Sequence, residues 1–210
     1  MSAADVVPRD WGTTLAAFAD ATRWYQELLA QVGERWAEPG LGEWDVRALA
    51  GHTSRSLLTV ETYLGRPAES VDIGSTAAYY LATREIAAGP TVAQRGRDAG
   101  AALGDDPVAA VAVIAGRVLP LLDKLDGTEL LTTIAGGMRL ADYLPTRVFE
   151  LVVHTADLAT ALGLPAEPPP GPAALALTLV SDLAVANGQA ATVLLATTGR
   201  AGLPAGFTLL

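Results

Sequence analysis

The sequence predicts an all-α protein, a helical bundle with additional short helices and a C-terminal helix followed by an irregular tail. Three observations predict it. In the longer segments apolar residues recur at alternating spacings of three and four, the period of one helix face turned inward. Carboxylates stand before two of those segments and glycines after them, where a helix needs an acceptor for its first amides and a permissive residue at its end. The chain is rich in alanine, with leucine and valine at most large apolar positions, which suits helices packed through small residues better than a sheet.

Leu15, Phe18, Thr22, Tyr25, Leu29 and Val32 define the inward face of a first helix, and Pro39-Gly40 ends that unit. A second helix starts at Asp45 and runs to Gly65 and Pro67; the short connection predicts that these two pack antiparallel. Residues 75–88 and 92–103 read as helices with thin apolar stripes, separated by Gly89-Pro90. From Pro107 another helical face carries Val108, Val111, Ile114, Val118, Leu122 and Leu125, with Pro120 bending it by removing a backbone donor and Gly127 stopping it. TELLTTIAGGMRLAD alternates around Gly136-Gly137 and reads as a short two-stranded turn. Asp142 is expected to cap the next helix, with Pro145 in its first turn and Gly163 at its end. EPPPGP reads as a stiff linker, followed by one helix over about 173–195 and an irregular close, TTGRAGLPAGFTLL. The expected division is a bundle over 1–165, with linker, C-terminal helix and tail over 166–210 packing on it.

The length of 210 residues allows one domain with a real core. No apolar run reaches the ~18 residues that would suggest a membrane span, and MSAADVVPRDW lacks the basic cluster and apolar stretch of a secretory signal. A soluble, cytoplasmic protein is expected. With 14 Lys+Arg against 23 Asp+Glu the net charge is -9, a balance that repels phosphate backbones and argues against nucleic acid and anionic membranes as partners. There is no cysteine, which excludes disulfides, a cysteine nucleophile and thiolate metal ligands. Any thiol chemistry must use a thiol brought in from outside.

Chemistry concentrates on two segments. The chain has 2 histidines, and both lie in otherwise apolar helical stretches, LAGHTSRSLL and FELVVHTADLA. Glu150 precedes His154 by four residues, one helical step, which sets a carboxylate and an imidazole on one face about 6 Å apart along the axis. His52 would supply a third donor across the bundle. Two imidazoles and a carboxylate leave an open coordination position, the pattern of catalytic zinc and also of non-haem iron. The bland alternative is a pair of half-buried histidines with one hydrogen bond each, because E-x-x-x-H alone is a weak motif. Asp157, three residues after His154, is a candidate to orient the imidazole or to pair with an arginine. Trp44 and Trp36 read as packing at helix ends, and Asp20, Glu27 and Glu61 as solvated faces.

GEWDVRALAGH resembles the W-x-V-R-x-x-x-x-H segment of the mycothiol-dependent maleylpyruvate isomerase family, a branch of the DinB/YfiT-like metalloproteins. RVFELVVHTADLATALG is similar to that family's R-x-x-E-x-x-x-H-x-x-D-L segment, and TTGRAGLPAGF to the close of many such proteins. The resemblance implies a DinB-like four-helix bundle with a divalent metal on His52, Glu150 and His154; zinc is the expected ion, with iron or nickel as alternatives. It implies a mycothiol-type thiol as cosubstrate and a small electrophile as substrate, either isomerised or carried on as an S-adduct. Arg147 matches a basic position of the second segment, and a guanidinium there can clamp a substrate carboxylate in bidentate fashion. Arg84 lies roughly where the isomerases carry a substrate arginine and is the catalytic candidate. The isomerases have a larger C-terminal lobe than the stretch after the proline run here, which favours a relative with another substrate, such as a mycothiol S-transferase or a tailoring enzyme of secondary metabolism. Two other readings stay open: a hydrolase or lyase that activates water and uses no thiol, and a non-catalytic binding module. The oligomeric state, monomer or homodimer, is open too.

Overall fold

The computed structural model describes residues 10–87 and 92–210, without the side chains of 85–87. The expected break at Gly89-Pro90 lies outside the described residues. Helices form where the apolar period of three and four runs, and several begin at a side-chain acceptor. Asp10 caps α1 (Trp11–Leu29) by accepting from the Thr13 amide. Asp45 caps α2 (Val46–Leu64) through the Ala48 amide at 2.7 Å. Ser75 accepts from the Ala78 amide as α3 (Thr76–Ala87) begins. Beyond α4 (Val92–Ala102), Asp106 caps α5 (Pro107–Leu122), whose Pro107 sits at the start, where its missing donor is of no consequence. Pro120 lies in the last turn of α5, and the helix ends at Leu122, short of Gly127.

Asp142 does not cap α6 (Leu140–Ala161), contrary to the sequence expectation. The chain enters α6 straight from the hairpin of β1 (Leu130–Thr133) and β2 (Gly136–Arg139), and the first α6 amides find main-chain acceptors: Leu140 donates to the Glu129 carbonyl and Ala141 to that of Gly127. With those amides satisfied, a side-chain cap has nothing to do. Asp142 sits inside the first turn instead, 3.7 Å from Arg139. The hairpin itself turns at Ile134-Ala135, and Gly136-Gly137 open β2 rather than forming the turn. At the far end Gly163, at φ 65°, closes α6 in a Schellman motif, with Gly163 donating to Thr160 and Leu164 to Ala159.

α1, α2, α5 and α6 form the four-helix core. The neighbours of α1 are α6, α7 and α5, and those of α2 are α4, α6 and α5. So α1 and α2 occupy opposite corners rather than packing as the antiparallel pair that their short connection predicted. The loop, with its short 3-10 turn at Arg35–Ala37, carries the chain across the bundle end, and α5 and α6 fill the sides between. Phe18, Tyr25, Leu49, Leu57, Leu144 and Leu151 are fully enclosed in the core. Tyr25 reaches across to donate to the Ala50 carbonyl at 2.6 Å.

α4 lies along α2 at a separation that two glycines permit. A Cβ on Gly51 would overlap the main chain at Ala99 and Gly100, and one on Gly100 would crowd the main chain at Arg47 and Ala48. Gly51→Ala is therefore expected to lower stability by ~1–3 kcal/mol through overpacking, read from chemical denaturation; an unchanged midpoint would mean that the two helices separate freely.

Between α2 and α3 the chain runs beside the hairpin, with Thr132 donating to Arg66, Ala68 to Leu130, and Asp72 and Ile73 to Gly137. This path delivers α3 onto α6, where the Thr76 hydroxyl donates to the Asp142 carbonyl. The proline run is not all linker: α7 (Pro170–Ala186) begins inside it, because proline suits the first helical position. The single C-terminal helix expected over 173–195 is two, α7 and α8 (Ala190–Thr197), broken at Gly188 with φ 68°. Residues 198–210 are irregular, as read from the sequence. Among the described residues no helix is long and apolar enough to cross a membrane.

Candidate metal centre

The second turn of α2 presents His52 to the face of α6 that carries Glu150 and His154, and one donor atom from each residue lies within 4.8 Å of the other two. Nε2 of His154 is 3.1 Å from Oε2 of Glu150. The His52 and His154 rings meet edge to face, centroids 4.8 Å apart. Around a tetrahedral ion with bonds of ~2.0–2.2 Å, donors stand ~3.4 Å apart, so the set closes on an ion with shifts of about an ångström or so.

Neighbours orient these donors. Nδ1 of His154 is 3.1 Å from Oδ2 of Asp157, an arrangement that turns Nε2 toward Glu150. Oε1 of Glu150 accepts from the Tyr80 hydroxyl at 2.8 Å. His52 stacks on the Trp44 indole with centroids 4.5 Å apart, and the indole nitrogen is held by the Ala93 carbonyl. Nδ1 of His52 is buried with no hydrogen-bond partner among the described residues. A buried polar atom without a partner is uncommon and costly, and it marks a histidine that its protein surroundings alone leave unsatisfied.

Electrostatics suit a cation. Burial holds His52 down to about 4, helped by the charge of His154, so its imidazole is neutral at physiological pH. Burial works against the His154 cation, but hydrogen bonds to Asp157 and Glu150 outweigh it and raise the group to about 9. Glu150 is likewise pushed up by burial and pulled down further by His154, Arg147 and Tyr80, to about 2. With His154 protonated, its Nε2–H donates to Oε2 of Glu150. Burial, then the Glu150 charge, keeps the Tyr80 phenol protonated.

A cavity of about 540 Å³ opens over the donors. Its wall includes Trp44, Tyr63, Ile134 and Leu210 on the apolar side. Among the described residues four arginines, Arg55, Arg84, Arg95 and Arg147, and one acidic side chain, Glu150, line it, so this lining is cationic in a chain of net charge -9. Arg147 is fixed: Nε donates to the Thr146 hydroxyl at 2.8 Å, and its guanidinium lies 5.1 Å from the Tyr143 ring centroid and 5.7 Å from that of Tyr79. Burial opposes its charge, while Tyr143 and Glu150 hold it protonated.

The structure thus brings together His52, Glu150, His154, Asp157 and Arg147. Arg84 stands at the cavity rim, its guanidinium donating to the Asn187 side chain at 3.0 Å and the Leu209 carbonyl at 3.3 Å. Trp44, expected as core or helix-end packing, is buried in the core just before α2 and also lines the cavity. Glu61 is paired in fork geometry with Arg117 on the surface. Sequence reasoning missed Tyr80 and Arg55. Arg55 was within reach, three residues after His52 on the same helix face. Tyr80 carried only a faint signal, one of two adjacent tyrosines in a segment otherwise poor in large apolar residues.

Residues 16–159 match the family model described as the mycothiol maleylpyruvate isomerase N-terminal domain. No curated protein and no solved structure matches the chain. The matched span contains the three donors, the helices that carry them, and the residues that orient them, and the chain belongs to the mycothiol maleylpyruvate isomerase N-terminal domain family.

Proposed function

We propose that the chain is a metal-dependent enzyme that presents a low-molecular-weight thiol of the mycothiol type to a small electrophile. The observation that carries this reading is a three-donor set at the floor of a cationic cavity, in a family named for a mycothiol reaction and in a chain with no cysteine of its own. His52, Glu150 and His154 would hold the ion, with zinc the expected metal from the family resemblance and iron or nickel as alternatives. A bound dication lowers the pKa of a thiol at its open position enough to keep it deprotonated at neutral pH. Asp157 and Tyr80 keep the donors aimed.

Sulfur addition to an activated double bond forms a C–S bond and moves the π electrons toward the activating carbonyl. Rotation and loss of the sulfur then isomerise the substrate, while protonation of the adduct completes an S-transfer. Arg147 is the anion clamp for the substrate, its fixed guanidinium still offering donors to a carboxylate. Arg84, expected from the resemblance as catalytic, serves in this reading at the rim, tying α3 to the tail at Leu209. Arg147→Lys should keep its metal and raise KM for an anionic substrate roughly 10–100-fold, the loss of a charged hydrogen bond, with a smaller change in kcat; an unchanged KM would remove the clamp.

The same donor set also suits a hydrolase or lyase that activates water, because two histidines and a glutamate are a ligand set of hydrolytic zinc enzymes. Calorimetric titration of zinc-loaded and metal-stripped protein with a mycothiol-type thiol separates the two. Thiol binding that requires the metal supports the thiol enzyme, and metal without thiol affinity favours the hydrolytic one.

A further inference from the structure

Tyr80 reaches Glu150 from outside α6, and its placement is over-determined. The chain over residues 66–73 is bonded along the hairpin, and Thr76 ties the start of α3 to α6. The Tyr80 ring is held edge-on by Phe149, centroids 5.5 Å apart, and by Tyr79 at 5.7 Å. Its hydroxyl is 2.8 Å from Oε1 of Glu150 and 3.1 Å from the Thr146 carbonyl one turn earlier. A phenol has one proton, and the shorter contact, to the stronger acceptor, takes it. Oε2 remains, and it is the oxygen that faces His154.

This division of the two oxygens has a consequence for coordination. A carboxylate free to turn can bind an ion through both oxygens, which adds a ligand and crowds the position that a three-donor set leaves for a reactant. We propose that Tyr80 is a positioning residue of the metal centre: its hydroxyl holds Oε1 of Glu150, so that the carboxylate meets the ion through Oε2 alone and the fourth position stays open. The inference rests on the reading of His52, Glu150 and His154 as ligands. It makes α3, whose described residues supply none of the three donors, a determinant of metal affinity and coordination number.

Tyr80→Phe removes the hydroxyl and keeps the ring. Zinc affinity, measured by competition with a chelating dye, should fall ~10–100-fold, as for other groups that orient a ligand. Cobalt(II) in place of zinc should lose intensity in its visible bands as the carboxylate turns and the coordination number rises. A residue that merely packs α3 on α6 would shift the melting temperature of the metal-free protein and leave both readouts unmoved; that result overturns the proposal. Infrared difference spectra of the wild type on zinc loading read the same point without a variant. A wide separation of the two carboxylate stretches marks binding through one oxygen, and a narrow one, marking both oxygens, overturns it. Should the wild type take up no zinc at all, the ligand assignment itself falls, which is a different failure.

Discussion

His154→Ala should reduce bound zinc from about one equivalent to none under conditions that load the wild type, the largest effect expected of any single substitution here. Removing a donor does more than removing a group that orients one, which typically costs ~10–100-fold in affinity. Thermal melts give a second readout. A free ion at a thousandfold excess over its Kd stabilises the folded state by ~4 kcal/mol, or roughly 8–16 °C for a chain of this size, and the variant should show no such shift. Because the metal-free protein holds a protonated His154 between Glu150 and Asp157, the alanine variant also leaves two carboxylates without their cation. His52→Ala avoids that complication. His52 is neutral at physiological pH, so its loss removes a ligand without unpairing a charge, and it should abolish loading as well. Full metal retention in both variants would return the histidines to ordinary core roles.

Zinc affinity should rise about tenfold per pH unit up to pH near 9 and level off there, since binding displaces one proton from a group titrating at about 9. Below pH near 4, where His52 also protonates, the slope should double. Glu150, held down to about 2, contributes no proton over most of this range. Stability of the metal-free protein runs the other way. The folded-state value of His154 lies above its ordinary 6.5, so its contribution is fully present below pH 6.5 and fades as pH rises through 9. Zinc-loaded and metal-free melting curves should therefore diverge as pH increases from 6.5 to 9. Parallel curves would mean that no proton leaves on loading and that His154 is not a ligand.

Local rules account for much of this molecule. The caps at Asp45 and Asp106, the stop at Gly163 and the inward faces of α1, α2 and α5 follow from residues within a few positions of one another. Glu150 and His154 were a pair on paper because four residues close one helical turn. The errors have different causes. Asp142 lost its capping role to carbonyls of Glu129 and Gly127 supplied by the hairpin; the short loop placed α1 and α2 across the bundle instead of side by side; and Gly188 divided one expected helix into two.

By itself the sequence determined which segments are helical and which side chains each helix turns to one side, because helical period and capping are settled within a turn or two of chain. Only the tertiary structure decided that α2 lies against α6, so that His52 joins the other donors, that Trp44 stacks on His52, and that α3 brings Tyr80 to Oε1 of Glu150. The meetings of His52 with Glu150 and His154 and of Tyr80 with Glu150 join residues 70 or more positions apart, along a path set by the hairpin and by glycine contacts between helices. No periodicity within a single segment encodes them.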